Sequence, residues 1–463
     1  MDNPSSQHRF DRREFLTAAA AAATVATWPG AGTQAQETLS SFEANDRIFI
    51  CNEDSCTLSV IDPRTNTADA TINLTSFDED RRPPFRFVTG GAMPTHVAMV
   101  QKPLYHGAIS IHGAVPSPDS RLIATTGRGS SNVYLIDTTT RKVIGNVANP
   151  AAGADTNAEQ ITSGLFTGRE PHEPTFTRNG RELWVVVRGE DRIAVFDIAK
   201  ATQELNGGAR GSALRGMIPT IHGPAHVWFS RDGATAYVVS QKTPKVDVFA
   251  VKYDANGFST VTRKTTLDIA AQDKFGFSPF LKMSPDGKEM WFTSKIADVV
   301  NVMTGEGEPR MLETIALGNM ARPNHVEFLE NAGGKVVYAS FARVDDGGPG
   351  GVASSQIAII DRSVPSGSRR VAGMFFSQGR EAHGLWTDPS GAFLYIAHEQ
   401  DELPGTPNAG QTVCTVFKVR DPFKPAFVAQ IPLGDLVLPS GRLRNKKSIN
   451  LVYVRPGARS VSG

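Results

Sequence analysis

Leu183-Trp184-Val185-Val186-Val187, a polar break, then Arg192-Ile193-Ala194-Val195-Phe196-Asp197: this pair of short apolar runs decides the fold of the 463-residue chain. Each run has the length of one β-strand, and neither carries helical spacing. The pair recurs upstream as Leu122-Ile123-Ala124 with Val133-Tyr134-Leu135-Ile136-Asp137, and as Ile48-Phe49-Ile50 with Leu58-Ser59-Val60-Ile61-Asp62. Downstream copies begin at Tyr237-Val238-Val239, Met290-Trp291-Phe292, Val337-Tyr338-Ala339 and Leu394-Tyr395-Ile396, which makes seven.

Polar turns precede these strands at Asp119-Ser120, Asn179-Gly180, Asp232-Gly233, Asp286-Gly287, Gly333-Gly334 and Ser390-Gly391. Their spacing runs from 47 residues (286 to 333) to 60 (119 to 179). Short strands at that period indicate four-stranded propeller blades, and closing the ring removes exposed sheet edges. The first unit has no inner strand ahead of it. A spare one, Ile449-Asn450-Leu451-Val452-Tyr453-Val454, stands near the C-terminus. The expectation is an all-β, seven-bladed β-propeller over residues 36–463, closed by that C-terminal strand.

The repeats resemble the YVTN family of seven-bladed propellers, whose inner strand begins Pro-His-Gly and ends Ser-Pro-Asp-Gly. His112 to Asp119, through Pro116-Ser117-Pro118, and Phe280 to Gly287, through Ser284-Pro285-Asp286, carry the likeness. It implies the fold far more than the function, because this scaffold hosts unrelated chemistries.

Residues 1–35 are read apart from the fold. Arg12-Arg13 stand ahead of Phe15-Leu16, an apolar stretch runs from Ala18 to Trp28, and small residues end at Thr33-Gln34-Ala35. This resembles a twin-arginine (Tat) signal peptide and implies a folded protein exported to the periplasm. In that oxidising compartment Cys51 and Cys56 are candidates to pair across a hairpin, leaving Cys414 free; three unpaired cysteines are the other reading. Net charge is +1 and no basic run alternates with aromatics, so nucleic acid is not an expected partner. No apolar stretch after the leader reaches membrane-spanning length.

Five histidines begin inner strands: His112, His172, His226, His325 and His383. Inner strands line a propeller's central channel, so these side chains converge on one mouth. Blade five has Pro279-Phe280 there and blade one has Asn450; His226 and His325 sit about one residue out of step. Neutral imidazoles suit copper, zinc or iron. The alternative is that they only hydrogen-bond between blades. Gly168-Arg169-Glu170-Pro171-His172 and Gly379-Arg380-Glu381-Ala382-His383 repeat one pattern, which singles out Arg169 and Arg380 with their histidines as catalytic candidates. Arg322 and Arg442 are further rim candidates for holding a cofactor carboxylate or a small anion. His96, His106, His222 and His398 are second-tier candidates, His398 as a surface-loop residue, and the insertion near residues 78–111 is a candidate cap over the mouth.

The chain has no G-x-S-x-G, H-E-x-x-H, Walker or C-x-x-C-H motif. The leading expectation is a copper-dependent periplasmic oxidoreductase acting on a small anionic substrate, with an electron-transfer partner. Its architecture is similar to the propellers of nitrous oxide reductase and thiocyanate dehydrogenase, though it has no adjacent His-His pair and no cupredoxin domain. The alternatives are a haem d1-type tetrapyrrole protein, a lactonase-like hydrolase and a non-catalytic binding scaffold.

Overall fold

A computed structural model describes residues 42–74, 109–148, 160–161, 163–438 and 441–457. The leader, His96, His106 and most of the candidate cap lie outside the described residues. Phe42–Gly463 forms one compact unit.

Seven antiparallel sheets follow one another, six of four strands and one of five. Blade one takes its inner strand from the C-terminus: Ser448–Val454 pairs Arg47–Asn52, with Phe49 opposite Val452. The ring therefore closes as the spare strand predicted. Blade two begins at Ile111–Pro116, blade three at Pro171–Phe176, blade four at Pro224–Phe229, blade five at Leu281–Met283, blade six at Pro323–Asn331 and blade seven at Ala382–Thr387. The one α-helix described, Ile198–Leu205, is inserted after the third strand of blade three; Asp197 caps it by accepting from Ala199 N and Lys200 N.

The Ser/Thr-x-Asp/Asn turns of the repeat have a physical basis. The hydroxyl of Ser117, Thr177, Ser230 and Ser284 donates to the Asp or Asn two residues on at 2.6–2.7 Å. The same hydroxyl accepts the backbone N–H five residues on at 2.9–3.1 Å. One side chain thus stands in for a ladder bond while the backbone reverses.

Blades pack face to face through one large second-strand side chain each: Phe49, Trp184, Tyr237, Trp291, Tyr338 and Tyr395, with Ala124 in blade two. Each is 0–1% exposed.

A buried ion pair crosses from blade five to blade six. Lys282 Nζ lies 2.5 Å from Glu327 Oε2 and 4.1 Å from the Trp386 ring centroid, and Thr387 Oγ1 donates to Glu327 Oε1. Burial, outweighing the Lys282 ammonium, raises the Glu327 carboxyl above its usual range. Lys282→Met alone should destabilise by about 3–5 kcal/mol, because it strands a buried carboxylate. Lys282→Met with Glu327→Leu should recover most of that loss. Denaturant midpoints of the three proteins test this, and equal midpoints for single and double variants would refute it.

The cysteine pairing does not form. Cys51, Cys56 and Cys414 are buried, and none is joined to another in a disulfide. Cys51 Sγ lies 3.4 Å from Thr125 Oγ1, and Cys56 Sγ accepts from Ser110 N, so both face blade two rather than each other.

Candidate functional site

Entry to the inner strands follows one rule. In six blades the residue after the second strand, and in blade six Ala342 within it, donates its N–H to the carbonyl of a residue ahead of the inner strand, at 2.8–3.1 Å. The donors are Glu53, Arg128, Arg188, Gln241, Lys295, Ala342 and Glu399; the acceptors are Lys447, Ser110, Glu170, Gly223, Phe277, Arg322 and Glu381. Six of these acceptors have φ between 50° and 65°, the left-handed region that only Gly occupies at no cost. Such strain in five non-glycine residues marks a constrained rim. The donor side chains form a ring of mixed charge at the channel mouth.

Below that ring, the inner strands bulge against their neighbours: two residues fall out of register between Ile111 and Ala114, Pro171 and Pro174, Pro323 and Val326, and Ala382 and Leu385. Bulges re-aim side chains. His112, His172 and His383 occupy the first bulge position. His325 occupies the second, as Glu173 does in blade three. This accounts for the offset of His325 seen in the sequence; His226 follows a shorter irregularity between Pro224 and His226.

All five histidines are 2–7% exposed and reach the axis. Ring centroids run His172–His112 4.4 Å, His112–His383 6.3 Å, His383–His325 4.7 Å, His325–Phe280 3.9 Å and Phe280–His226 4.8 Å. Backbone groups at two bulges are satisfied by Thr126 and Ser340. Thr126 Oγ1 accepts Gly113 N and donates to His172 O; Ser340 Oγ accepts His325 N and donates to His383 O. Each hydroxyl thereby ties one blade to the next.

Burial holds these imidazoles neutral. His112 is pushed down to about 4 and His226 to about 3; His172, His325 and His383 lie well below the usual histidine range. Neighbouring Arg128, Arg188, Lys282 and Lys295 add to the effect. Their roles differ. His172 Nδ1 donates to Ala225 O at 2.8 Å, leaving the Nε2 lone pair to the Gln241 amide at 3.2 Å. His226 Nδ1 instead accepts Leu281 N at 3.4 Å, which spends its lone pair. His383 Nε2 lies 3.5 Å from Glu399 Oε1.

Two carboxyls accompany them, Glu173 buried and Glu399 partly so. Glu173 is 2% exposed; its Oε2 accepts Asn450 Nδ2 at 3.2 Å and its Oε1 has no partner among the described residues. Gly113 makes room for it, since a Cβ there would meet Glu173 Oε2 at 2.5 Å. Glu399 is raised to about 8 by burial and by Glu381, against the pull of Lys295 and Lys447. It lines a cavity of about 230 Å³ at the mouth, with Asp54, Glu381, Gln400, Asp401, Lys446 and Lys447. Glu53, buried, holds the lining residue Lys447. Burial opposes its charge, but Lys447 at 2.7 Å and Arg128 at 3.0 Å hold it well below the usual carboxylate range.

The arginines singled out in the sequence lie elsewhere. Arg169 Nη2 donates to Gly189 O beside Glu190, Arg380 Nη1 donates to Asp401 O, and Arg442 pairs with Asp435 at 2.9 Å on an exposed hairpin. Arg322 enters the rim through its backbone. Arg128 and Arg188, one residue past the second strands, take the places expected of Arg169 and Arg380. His398 is also corrected: it ends the second strand of blade seven, fully buried between Val413 O and Ser377 Oγ. His222 is exposed and pairs with Asp191.

The sequence profile of the family described as "Lactonase, 7-bladed beta-propeller" matches residues 117–345. A 6-phosphogluconolactonase of Klebsiella pneumoniae is 26% identical over 137 residues, 29% of this chain. The match spans 39% of that relative's length. Among solved structures, the periplasmic gluconolactonase of Pseudomonas aeruginosa superposes with a TM-score of 0.52 at 14% identity, covering 89% of this chain and 99% of its own. A functionally unknown protein from Desulfotomaculum acetoxidans gives 0.55 at 10%, covering 89% and 99%. The chain is a seven-bladed propeller of lactonase likeness. At these identities the superpositions show fold alone, and the likeness to the haem d1 protein NirN, at 0.47, is too weak to carry argument. The comparisons thus favour the hydrolase alternative over a copper oxidoreductase.

Proposed function

We propose that the chain is a lactonase-like hydrolase of hydroxylated sugar-acid lactones, acting in the cavity at the channel mouth after export to the periplasm. The observation that carries this is Glu399, a partly buried carboxyl raised to about 8 in the wall of that cavity, beside the neutral ring of His383. Perturbed carboxyls in clefts are the usual general bases of hydrolysis. The lactonase profile over residues 117–345 supports the reaction class.

Glu399, once ionised, takes a proton from water as the water oxygen bonds to the lactone carbonyl carbon. The ammonium of Lys447, in the same wall, faces the developing oxyanion. The ring C–O bond then breaks, and Glu399 returns the proton to the departing alkoxide. Lactone and water become one hydroxy acid. No electron acceptor or redox partner is needed.

The lining favours a neutral, hydroxyl-rich substrate over the anionic one expected from the sequence. Four carboxyl residues face the cavity, and its two lysines already sit against Asp401 at 3.8 Å and Glu53 at 2.7 Å. The test is release of acid from glucono-δ-lactone by the mature protein, measured over the spontaneous rate. Acceleration is expected, with the 6-phosphorylated lactone turned over no faster. A rate equal to that of buffer sinks the reading.

Export is tested separately. Arg12→Lys with Arg13→Lys should hold the precursor in the cytoplasm, and normal appearance of the variant in the periplasm would point to the Sec route instead.

A further inference from the structure

We infer that the channel floor beneath the mouth holds a divalent first-row transition ion, with His112, His172 and Glu173 as its protein ligands. The three residues come from adjacent blades and offer ligand atoms that lie within 4.8 Å of one another, all buried. A tetrahedral or octahedral ion needs its ligands at about 2.0–2.2 Å, which sub-ångström rotamer shifts supply from that starting separation.

Three features separate this set from ordinary core histidines. His172 donates Nδ1–H to the Ala225 carbonyl, the outer contact that fixes the ligating tautomer in metal sites, and its Nε2 lone pair is held only by the Gln241 amide at 3.2 Å, which an ion would displace. Glu173 keeps one oxygen without a partner among the described residues at 2% exposure, a cost that a bound cation would offset. The third is the absence of a side chain at Gly113, where a Cβ would drive into the Glu173 carboxylate. On the outer side of His112, Nδ1 accepts from Arg128 Nη1 at 3.3 Å, so ligation by this ring requires that guanidinium to turn wholly to its other partner, Glu53 Oε1 at 3.0 Å.

Two imidazoles and one carboxylate form a borderline N/O donor set, suited to zinc and its neighbours and poor for calcium or magnesium. His226 is not among the residues whose ligand atoms cluster there. His383 and His325 close the ring on the far side as walls rather than ligands.

The site is separate from the hydrolytic cavity, so its test does not depend on catalysis. Mature protein stripped with chelator should take up one zinc per chain in calorimetry. X-ray absorption should show a shell of N/O scatterers at about 2.0–2.1 Å. Glu173→Gln and His172→Ala should each weaken zinc binding at least 100-fold, while His226→Ala leaves it within a few-fold. Near-ultraviolet circular dichroism of the metal-free variants shows whether each is folded. Zinc binding that is absent from the wild type, or unchanged in folded His172→Ala and Glu173→Gln, overturns the inference. Lactone hydrolysis measured with and without zinc then reports on the hydrolase reading alone.

Discussion

A chain ending at residue 444 will show no cooperative unfolding transition. The missing strand, Ser448–Val454, is buried at every position and forms the inner ladder of blade one with Arg47–Asn52. Its loss removes Ile449, Leu451, Val452 and Val454 from the core, each worth about 1.5–3 kcal/mol when fully buried. It also strips Asp46, which is 0% exposed, of Tyr453 Oη at 2.6 Å and Arg455 Nη2 at 2.6 Å. A buried carboxylate left with one backbone N–H, from Glu43, and no cation costs several kcal/mol more. Against a typical net stability of about 5–15 kcal/mol, these losses leave nothing to hold the ring. Removing Asn450 also takes the partner of Glu173 from the axis. Calorimetry of the shortened and full chains decides the point, and a shortened chain that melts at the same temperature defeats it.

The closure was legible because seven strand pairs met only six internal inner strands, an accounting that needs no side-chain geometry. The five axial histidines were legible for the same reason: inner strands start at the mouth, so any residue type recurring there must converge. Even the offset of His226 and His325 could be read from their distance to the turns. The rim could not. Attention to the Gly-Arg-Glu-x-His pattern led to Arg169 and Arg380, which turn outward to Gly189 O and Asp401 O. The residues that matter stand one place beyond each second strand, at Glu53, Arg128, Arg188, Gln241, Lys295 and Glu399. They share a position but not a residue type, so no motif announces them. Only the backbone bond ahead of each inner strand, accepted in six blades by a left-handed residue, aligns them. Glu399 was masked for a second reason. Its neighbours Gln400, Asp401 and Glu402 read as a solvated acidic loop, whereas burial in the structure makes Glu399 the most usefully perturbed acid at the mouth.

Glu399→Gln should lower kcat for lactone hydrolysis by about 10²–10⁴-fold with little change in KM, the usual loss when a general base is removed. The amide keeps the shape of the carboxyl beside His383 but cannot accept a proton. The wild-type rate should rise with pH through about 8, because the base works only when ionised and its carboxyl is raised to about 8. The groups facing it are Glu381, Lys295, Lys447, Glu53 and His383. The same shift bears on stability with the opposite trend. A carboxyl raised from its ordinary 4.5 holds a proton in the native state that the unfolded chain releases. Its contribution is therefore complete below about 4.5 and is lost as pH rises through about 8. The Gln variant carries no such proton, so its stability should fall less than the wild type's between pH 5 and 9. A pH-rate profile and chemical denaturation at several pH values read both effects. A variant that retains activity, or a wild-type rate flat across that range, removes Glu399 from the base role; a mere packing role would leave the pH profile of the remaining activity unchanged.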